Sequence, residues 1–158
     1  MVSAKSDNLS ASLEDYLEAI FNLAGDSNMA RSKDIAKSLD VSKSSVTGAL
    51  RALKKKGLAN YKPYDCVTLT DAGQAAAAEV VRKHNILKSF FIDVLGVDVD
   101  IAQQAACRAE HTLGPEIIAR LLCFIDFITR SNKNGYDIKG KFKRFCKKRL
   151  LDSKRVKK

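Results

Sequence analysis

The sequence predicts a mostly α-helical chain: an N-terminal winged helix-turn-helix (three helices plus a β-hairpin wing) followed by a second, helical domain. Three observations carry this. Apolar residues recur at helical spacing over most of the length. Two short helices joined by Asp40-Val41-Ser42 are followed at once by β-prone runs around a turn. With two Pro, eight Gly and no Trp, long helices can run uninterrupted. The expected divisions are 1–72, 73–130 and a basic tail at 131–158.

Residues 12–24 place Leu13, Tyr16, Leu17, Ile20, Phe21 and Ala24 on one stripe, with Ser12 as the expected N-cap and Asp15 three residues on. Gly25-Asp26-Ser27-Asn28 is a break. Residues 31–39 make a short helix, with Ser32 as its expected cap. Residues 43–56 make a second, basic helix with Val46, Leu50 and Leu53 inward, ended by Gly57. Runs 58–61 and 67–69 flank Lys62-Pro63-Tyr64-Asp65 as a hairpin, the wing. Thr70-Asp71-Ala72-Gly73 opens a helix expected to reach about Leu95, where Gly96 stops it. Val80, His84, Leu87, Phe91 and Val94 line one face of it. Ile86, Phe90 and Leu95 widen that stripe, as in a helix buried on two sides, so a dimer contact is expected beside the core contact. Asp98 begins a helix over 99–113, and Gly114-Pro115 separates it from one over 115–130. The tail reads as a basic surface helix with Ile138, Phe142, Phe145, Cys146 and Leu150 near helical spacing.

The net charge of +10 is uneven. Residues 133–158 hold twelve Lys/Arg and two Asp, 31–65 carry +6, and the remainder outside these two stretches is acidic. Basic stretches attract phosphate backbones, and acidic surroundings attract cations. The four cysteines are scattered with no CxxC pair, which excludes a zinc ribbon. Cys123, in an apolar run, is expected to be buried. Residues 1–12 lack the apolar core of a secretory signal, and no apolar run approaches the roughly 18 residues of a membrane span. A soluble cytoplasmic protein without a membrane partner is therefore expected. No Gly-rich phosphate loop, nucleophile elbow or HExxH is present, so no enzyme is expected.

Two constellations carry chemistry. Cys107, Glu110 and His111 stand at i, i+3 and i+4, which on a helix points a thiol, a carboxylate and an imidazole at one place. A transition-metal ion asks for that set. Asp15 and Glu18, one turn apart, offer hard oxygen donors, and His84 sits midway along the long helix. The second constellation is the basic helix-turn-helix. Ser42, Lys43, Ser44, Ser45 and Thr47 stand at the N-terminus of the helix that enters a major groove, where hydroxyls and the helix dipole meet phosphates or base edges. Arg51 lies two turns along from Ser44. Arg31 and Ser32 at the preceding helix, and Lys62 and Tyr64 at the wing tip, complete the candidate DNA contacts.

Together these pieces resemble the metal-dependent transcriptional repressors of the diphtheria toxin repressor and manganese repressor type, over roughly residues 10–130. The carriers are Leu13-Glu14-Asp15-Tyr16-Leu17-Glu18-Ala19-Ile20, Val41-Ser42-Lys43-Ser44-Ser45-Val46, Leu69-Thr70-Asp71-Ala72-Gly73, Arg82-Lys83-His84 and Ala106-Cys107-Arg108-Ala109-Glu110-His111. The resemblance implies a homodimer with a winged-helix DNA-binding domain and a helical dimerisation domain. It also implies a regulatory metal joining the first helix to that second domain. Asp15 and Glu18 match the manganese-type pattern, Cys107 with Glu110 and His111 the iron-type pattern, and His84 both. Cys107 stands where the manganese branch has a carboxylate, and Asp15 where the iron branch has a thioether. Lys88 replaces an acid and Gln103 a histidine, so a second, ancillary metal is not expected. Nor is an SH3-like third domain.

One thiolate among carboxylates and imidazoles disfavours Mn(II) relative to Fe(II), Co(II) or Zn(II), and cellular availability then favours Fe(II). Mn(II) and Zn(II) are the rivals. The expected partner is double-stranded DNA with a palindromic operator, without any small-molecule substrate beyond the metal. The expected role is repression of metal-homeostasis genes. A thiol-based redox sensor using Cys107, beside Arg108, is the alternative. The basic tail is expected either to add an electrostatic contact to DNA or to be a solvated end.

Overall fold

A computed structural model describes residues 9–62 and 66–155, the side chains of Asp26 and of 150–155 excepted. The chain forms two compact units, 1–82 and 83–158, whose boundary falls inside one long helix.

The first unit holds α1 (Ala11–Ala24), α2 (Ser32–Leu39), α3 (Lys43–Lys55), β1 (Ala59–Asn60), β2 (Thr68–Leu69) and the start of α4 (Asp71–Ser89). Of the stripe predicted for α1, Tyr16, Leu17, Ile20 and Ala24 are buried and Leu13 is half-buried, but Phe21, at the edge of the stripe, is exposed. Its cap is Ser10 and not Ser12. Ser10 is extended and its hydroxyl accepts the Leu13 amide at 3.4 Å, so the helix starts ahead of Ser12. Ser32 is likewise the first residue of α2 rather than its cap; Arg31 holds that place without a side-chain bond. α3 starts at Lys43 as expected, behind a cap, Ser42, that the sequence reading places only in the turn. The Ser42 hydroxyl accepts the Ser45 amide at 3.1 Å and shares hydrogen bonds of 2.8 Å with the hydroxyls of Ser44 and Ser45. Leu17, Ile20, Ile35, Leu50, Leu53 and Val67 fill one core between these elements, each burial contributing about 1.5–3 kcal/mol.

The strands are short and antiparallel, with Ala59 opposite Leu69 and Asn60 opposite Thr68. A further bridge was not legible in the sequence. Ala30 and Val67 exchange amide-to-carbonyl bonds of 2.8 and 2.7 Å, tying the segment before α2 to the hairpin. The wing tip at 63–65 lies outside the described residues. After β2, Thr70 donates its hydroxyl to the Gly57 carbonyl at 2.7 Å and its amide to that of Leu58 at 3.1 Å. Its hydroxyl also accepts the Gly73 amide at 3.1 Å. Gly73 is there because α4 presses on the chain: a Cβ would sit 1.8 Å from the Leu58 carbonyl oxygen. Gly48, in mid-α3, has open space around its Cα. Gly48→Ala is therefore expected to stabilise the first unit by about 0.5–1 kcal/mol through helix propensity, read as a higher urea midpoint at unchanged slope.

In the second unit α4 continues to Ser89 and then widens into a π-helical turn over Phe90–Val94, where the Leu95 amide reaches back to the Phe90 carbonyl at 3.1 Å. The α-helix expected to reach Leu95 thus changes register first, and Leu95 is exposed. α5 (Val99–Ala109) is capped by Asp98, whose carboxylate accepts the Asp100 amide at 2.9 Å. It stops short of the expected 113. The Ala109 carbonyl takes the Thr112 amide at 3.0 Å and the Thr112 hydroxyl at 2.9 Å, which closes a turn ahead of Gly114-Pro115. Glu110 and His111 accordingly lie in that turn and not in the body of a helix. α6 (Pro115–Lys133) begins with its proline, and α7 (Ile138–Arg155) makes the tail helical. Ile86, Leu87, Ala106 and Ile118 form the core, with Phe91, Leu121 and Ile125 against it. Cys123 is exposed, contrary to expectation. α6 is apolar on more than its inward side, and Phe124 and Phe127 also face outward. No helix among the described residues is long and apolar enough to cross a membrane.

Candidate metal centre

α4 places His84 on its buried stripe, a turn from Val80 and from Leu87, so the ring is carried into the protein and only 5% of the residue is exposed. The end of α5 brings the donors that meet it. Glu110, at 1% exposure, sits between two imidazoles. One carboxylate oxygen is 2.6 Å from His84 Nδ1 and the other 3.3 Å from His111 Nε2. Cys107, exposed and one turn before Glu110, offers a sulfur within 4.8 Å of a Glu110 oxygen. The structure thus brings together His84, Cys107, Glu110 and His111. Asp15 and Glu18 share a face of α1 in the first unit, both half-buried. Burial, and then the charge of Asp15, push the Tyr16 phenol above its ordinary value.

Sequence reasoning names Gln103 only as a replaced histidine and misses its contact. The Gln103 amide nitrogen lies 2.9 Å from His84 Nε2. An ionised carboxylate only accepts, so His84 Nδ1–H donates to Glu110, and Nε2 accepts from Gln103. The spacing Gln103, Cys107, Glu110 along one helical face was the signal available. Gln103→Leu is expected to leave Nδ1–H on His84, held by Glu110, and to strip Nε2 of its donor. The Nε2 nitrogen shift in metal-free protein should move while that of Nδ1 stays. An unchanged Nε2 shift would show that the amide does not reach the ring.

The donors suit a divalent transition metal. A carboxylate is costly to bury without partners, and here imidazoles flank it. Metal–nitrogen and metal–oxygen bonds of about 2.0–2.2 Å put neighbouring ligand atoms about 3 Å apart, close to the separations here. A second cation beside Lys88 is disfavoured, since that half-buried residue supplies a positive charge one turn after His84 and Gln103 already holds Nε2.

The candidate DNA contacts differ in exposure. Ser42, Lys43, Ser44, Ser45 and Arg51 on or before α3 are exposed, as are Arg31 and Lys62. Ser32 and Thr47 are half-buried, and the Thr47 hydroxyl donates to the Lys43 carbonyl at 3.0 Å. Tyr64 lies outside the described residues. Lys54 donates to the Tyr61 carbonyl at 3.0 Å and pins α3 to the base of the wing, a hydrogen bond not anticipated.

Residues 8–67 match the model of the iron dependent repressor N-terminal DNA binding domain, and residues 70–138 match the iron dependent repressor metal binding and dimerisation domain. The chain is 37% identical over 119 residues to an uncharacterised helix-turn-helix-type transcriptional regulator of Methanocaldococcus jannaschii, covering 75% of the chain and 95% of that protein. It is 30% identical over 118 residues to the diphtheria toxin repressor of Corynebacterium efficiens, covering 75% of the chain and 51% of the relative. Among solved structures it is similar to IdeR of T. acidophilum, with a TM-score of 0.64 at 27% identity, covering 72% of the chain and 53% of the other. The chain therefore spans nearly the whole of the first and about half the length of the other two.

Proposed function

Because the chain belongs to the iron dependent repressor family, we propose that it is a metal-dependent, dimeric DNA-binding repressor of metal-homeostasis genes, acting in the cytoplasm, with Fe(II) as its co-repressor. The observation that carries this reading is the buried Glu110 carboxylate held between His84 and His111. In this reading 1–72 binds DNA, 73–130 binds metal and pairs with a second copy, and 131–158 is an appended basic tail. The outward apolar side chains of α6 are what pairing would bury.

The residues proposed to hold the cation are Asp15, Glu18, His84, Cys107, Glu110 and His111. When bound, the metal supplies charge neutralisation and a fixed geometry among these donors. Asp15 and Glu18 would otherwise repel Glu110 and leave the DNA-binding unit with many orientations. Ordering it beforehand raises operator affinity, since the binding-competent population is no longer a small fraction. At the operator, Ser42, Lys43, Ser44, Ser45, Thr47 and Arg51 enter the major groove, while Arg31, Ser32, Lys62 and Tyr64 position the backbone. The thiolate favours Fe(II), Co(II) or Zn(II) over Mn(II).

Selection of sequences from a random duplex pool, run anaerobically with and without Fe(II), tests this. A palindrome enriched only with metal is expected. Identical selections with Fe(II), Mn(II), Zn(II) and no metal would refute it. The exposure of Cys107 favours one second reading, an oxidant-responsive thiol. His111→Ala would leave such a sensor working and would disable a metal sensor.

A further inference from the structure

We propose that α7 is a second nucleic-acid-docking surface, which lays its outer face on the phosphate backbone of the duplex held by the N-terminal unit. The inference rests on the DNA-binding reading above. Residues 138–149 contain seven Lys/Arg and no acid. The match to the metal binding and dimerisation domain ends at 138, where α7 begins.

The helix is a built element. The Asn132 side chain accepts the Ile138 amide at 2.8 Å, and Asp137 accepts that of Gly140 at 2.9 Å. Its apolar edge is turned inward: Ile138 and Phe142 line a small apolar cavity of about 130 Å³ with Val94, Leu95, Phe124 and Ile128. On the other side Lys141, Lys143, Arg144, Lys147 and Lys148 are exposed. Asp137 engages Arg144 at 3.3 Å. Lys143 with Lys147, and Arg144 with Lys148, form two rows with about 6 Å between neighbours. Like charges at this spacing destabilise a helix, and a polyanion relieves that repulsion while releasing its own counterions.

Two arguments select duplex DNA over an anionic membrane. The N-terminal unit already brings a duplex to the molecule, so a second attachment forms at high effective concentration. A helix that inserts at a lipid surface needs its apolar face available. Here Ile138 is half-buried and Phe142, at 36% exposure, faces Phe124 and Ile128 across that cavity, which leaves Phe145, at 61%, as the most exposed large apolar residue on the described part of α7.

The test uses the whole 158-residue chain, loaded anaerobically with Fe(II), and a random-sequence 30-base-pair duplex, with binding measured across a series of salt concentrations. The triple variant Lys143→Gln, Lys147→Gln, Lys148→Gln is expected to flatten the slope of log K against log salt by roughly 2–3, about 0.9 for each phosphate no longer neutralised. The corresponding triple Arg variant should keep the wild-type slope. A triple Gln variant with unchanged slope and wild-type helicity would overturn the inference and leave the DNA-binding reading intact. Failure of the wild-type chain to bind any duplex would overturn both. Binding of wild type, but not of the Gln variant, to phosphatidylglycerol vesicles, together with an unchanged DNA slope, would assign α7 to a membrane instead.

Discussion

Glu110→Gln is expected to lower Fe(II) affinity by about 100-fold or more. Loss of an outer partner of a metal ligand alone costs 10–100-fold, and here a charged donor itself is removed. The amide keeps the shape of the side chain but not its charge, and it turns one acceptor into a donor facing an imidazole. At a metal concentration of about 100 times the wild-type Kd, binding stabilises the native state by about 2.7 kcal/mol; for the variant the gain falls to about 0.4 kcal/mol. Anaerobic thermal melts with and without Fe(II) read this directly. In the absence of metal the variant should differ from wild type by about 1–3 kcal/mol at most, because a buried hydrogen bond is altered rather than a core emptied. A variant that kept the full Fe(II)-dependent rise in Tm would remove Glu110 from the site.

Gly73→Ala carries the largest expected cost in stability. Its backbone is not of the left-handed kind reserved for glycine; the constraint is close approach. The added methyl would meet the oxygen of Leu58 at 1.8 Å and its carbonyl carbon at 2.8 Å. These are main-chain atoms that no rotamer change can clear. α4 must back away, and the Thr70 bonds to Gly57 and Leu58 break with it. About 3 kcal/mol or more is expected, a large share of the 5–15 kcal/mol that holds a typical domain together. Urea unfolding followed by circular dichroism measures it, with Gly48→Ala as the control that should shift the other way. An unfolding midpoint equal to wild type would show that the packing of α4 on the wing is slack.

The elements read most faithfully from sequence were those whose burial repeats every three to four residues. The stripe of Tyr16, Leu17 and Ile20 and that of Val80, His84 and Leu87 both face inward as spaced. Helix ends were less legible, because they depend on which hydroxyl or carbonyl wins a local competition. Ser10 outcompetes Ser12, and the Ala109 carbonyl ends α5 early. The grouping of Cys107 with Glu110 survived that error because Glu110 keeps helical dihedrals as the cap of α5, so its side chain still points as an i+3 neighbour of Cys107. Cys123 misled for another reason. α6 carries apolar residues on several sides, and composition does not tell an inner face from one awaiting a second subunit. The pairing of Ala30 with Val67 spans more than thirty residues and leaves no local trace.

That pairing gives the first unit an internal clock. The two residues trade backbone bonds and are shut off from solvent, at 2% and 0% exposure. Their amides can therefore swap hydrogen for deuterium only when the hairpin parts from the helices it is stitched to. If both exchange at the rate of the core amides of α3, hairpin and helices rise and fall as a single cooperative block. A common rate faster than that of α3 would mean that the hairpin peels off alone.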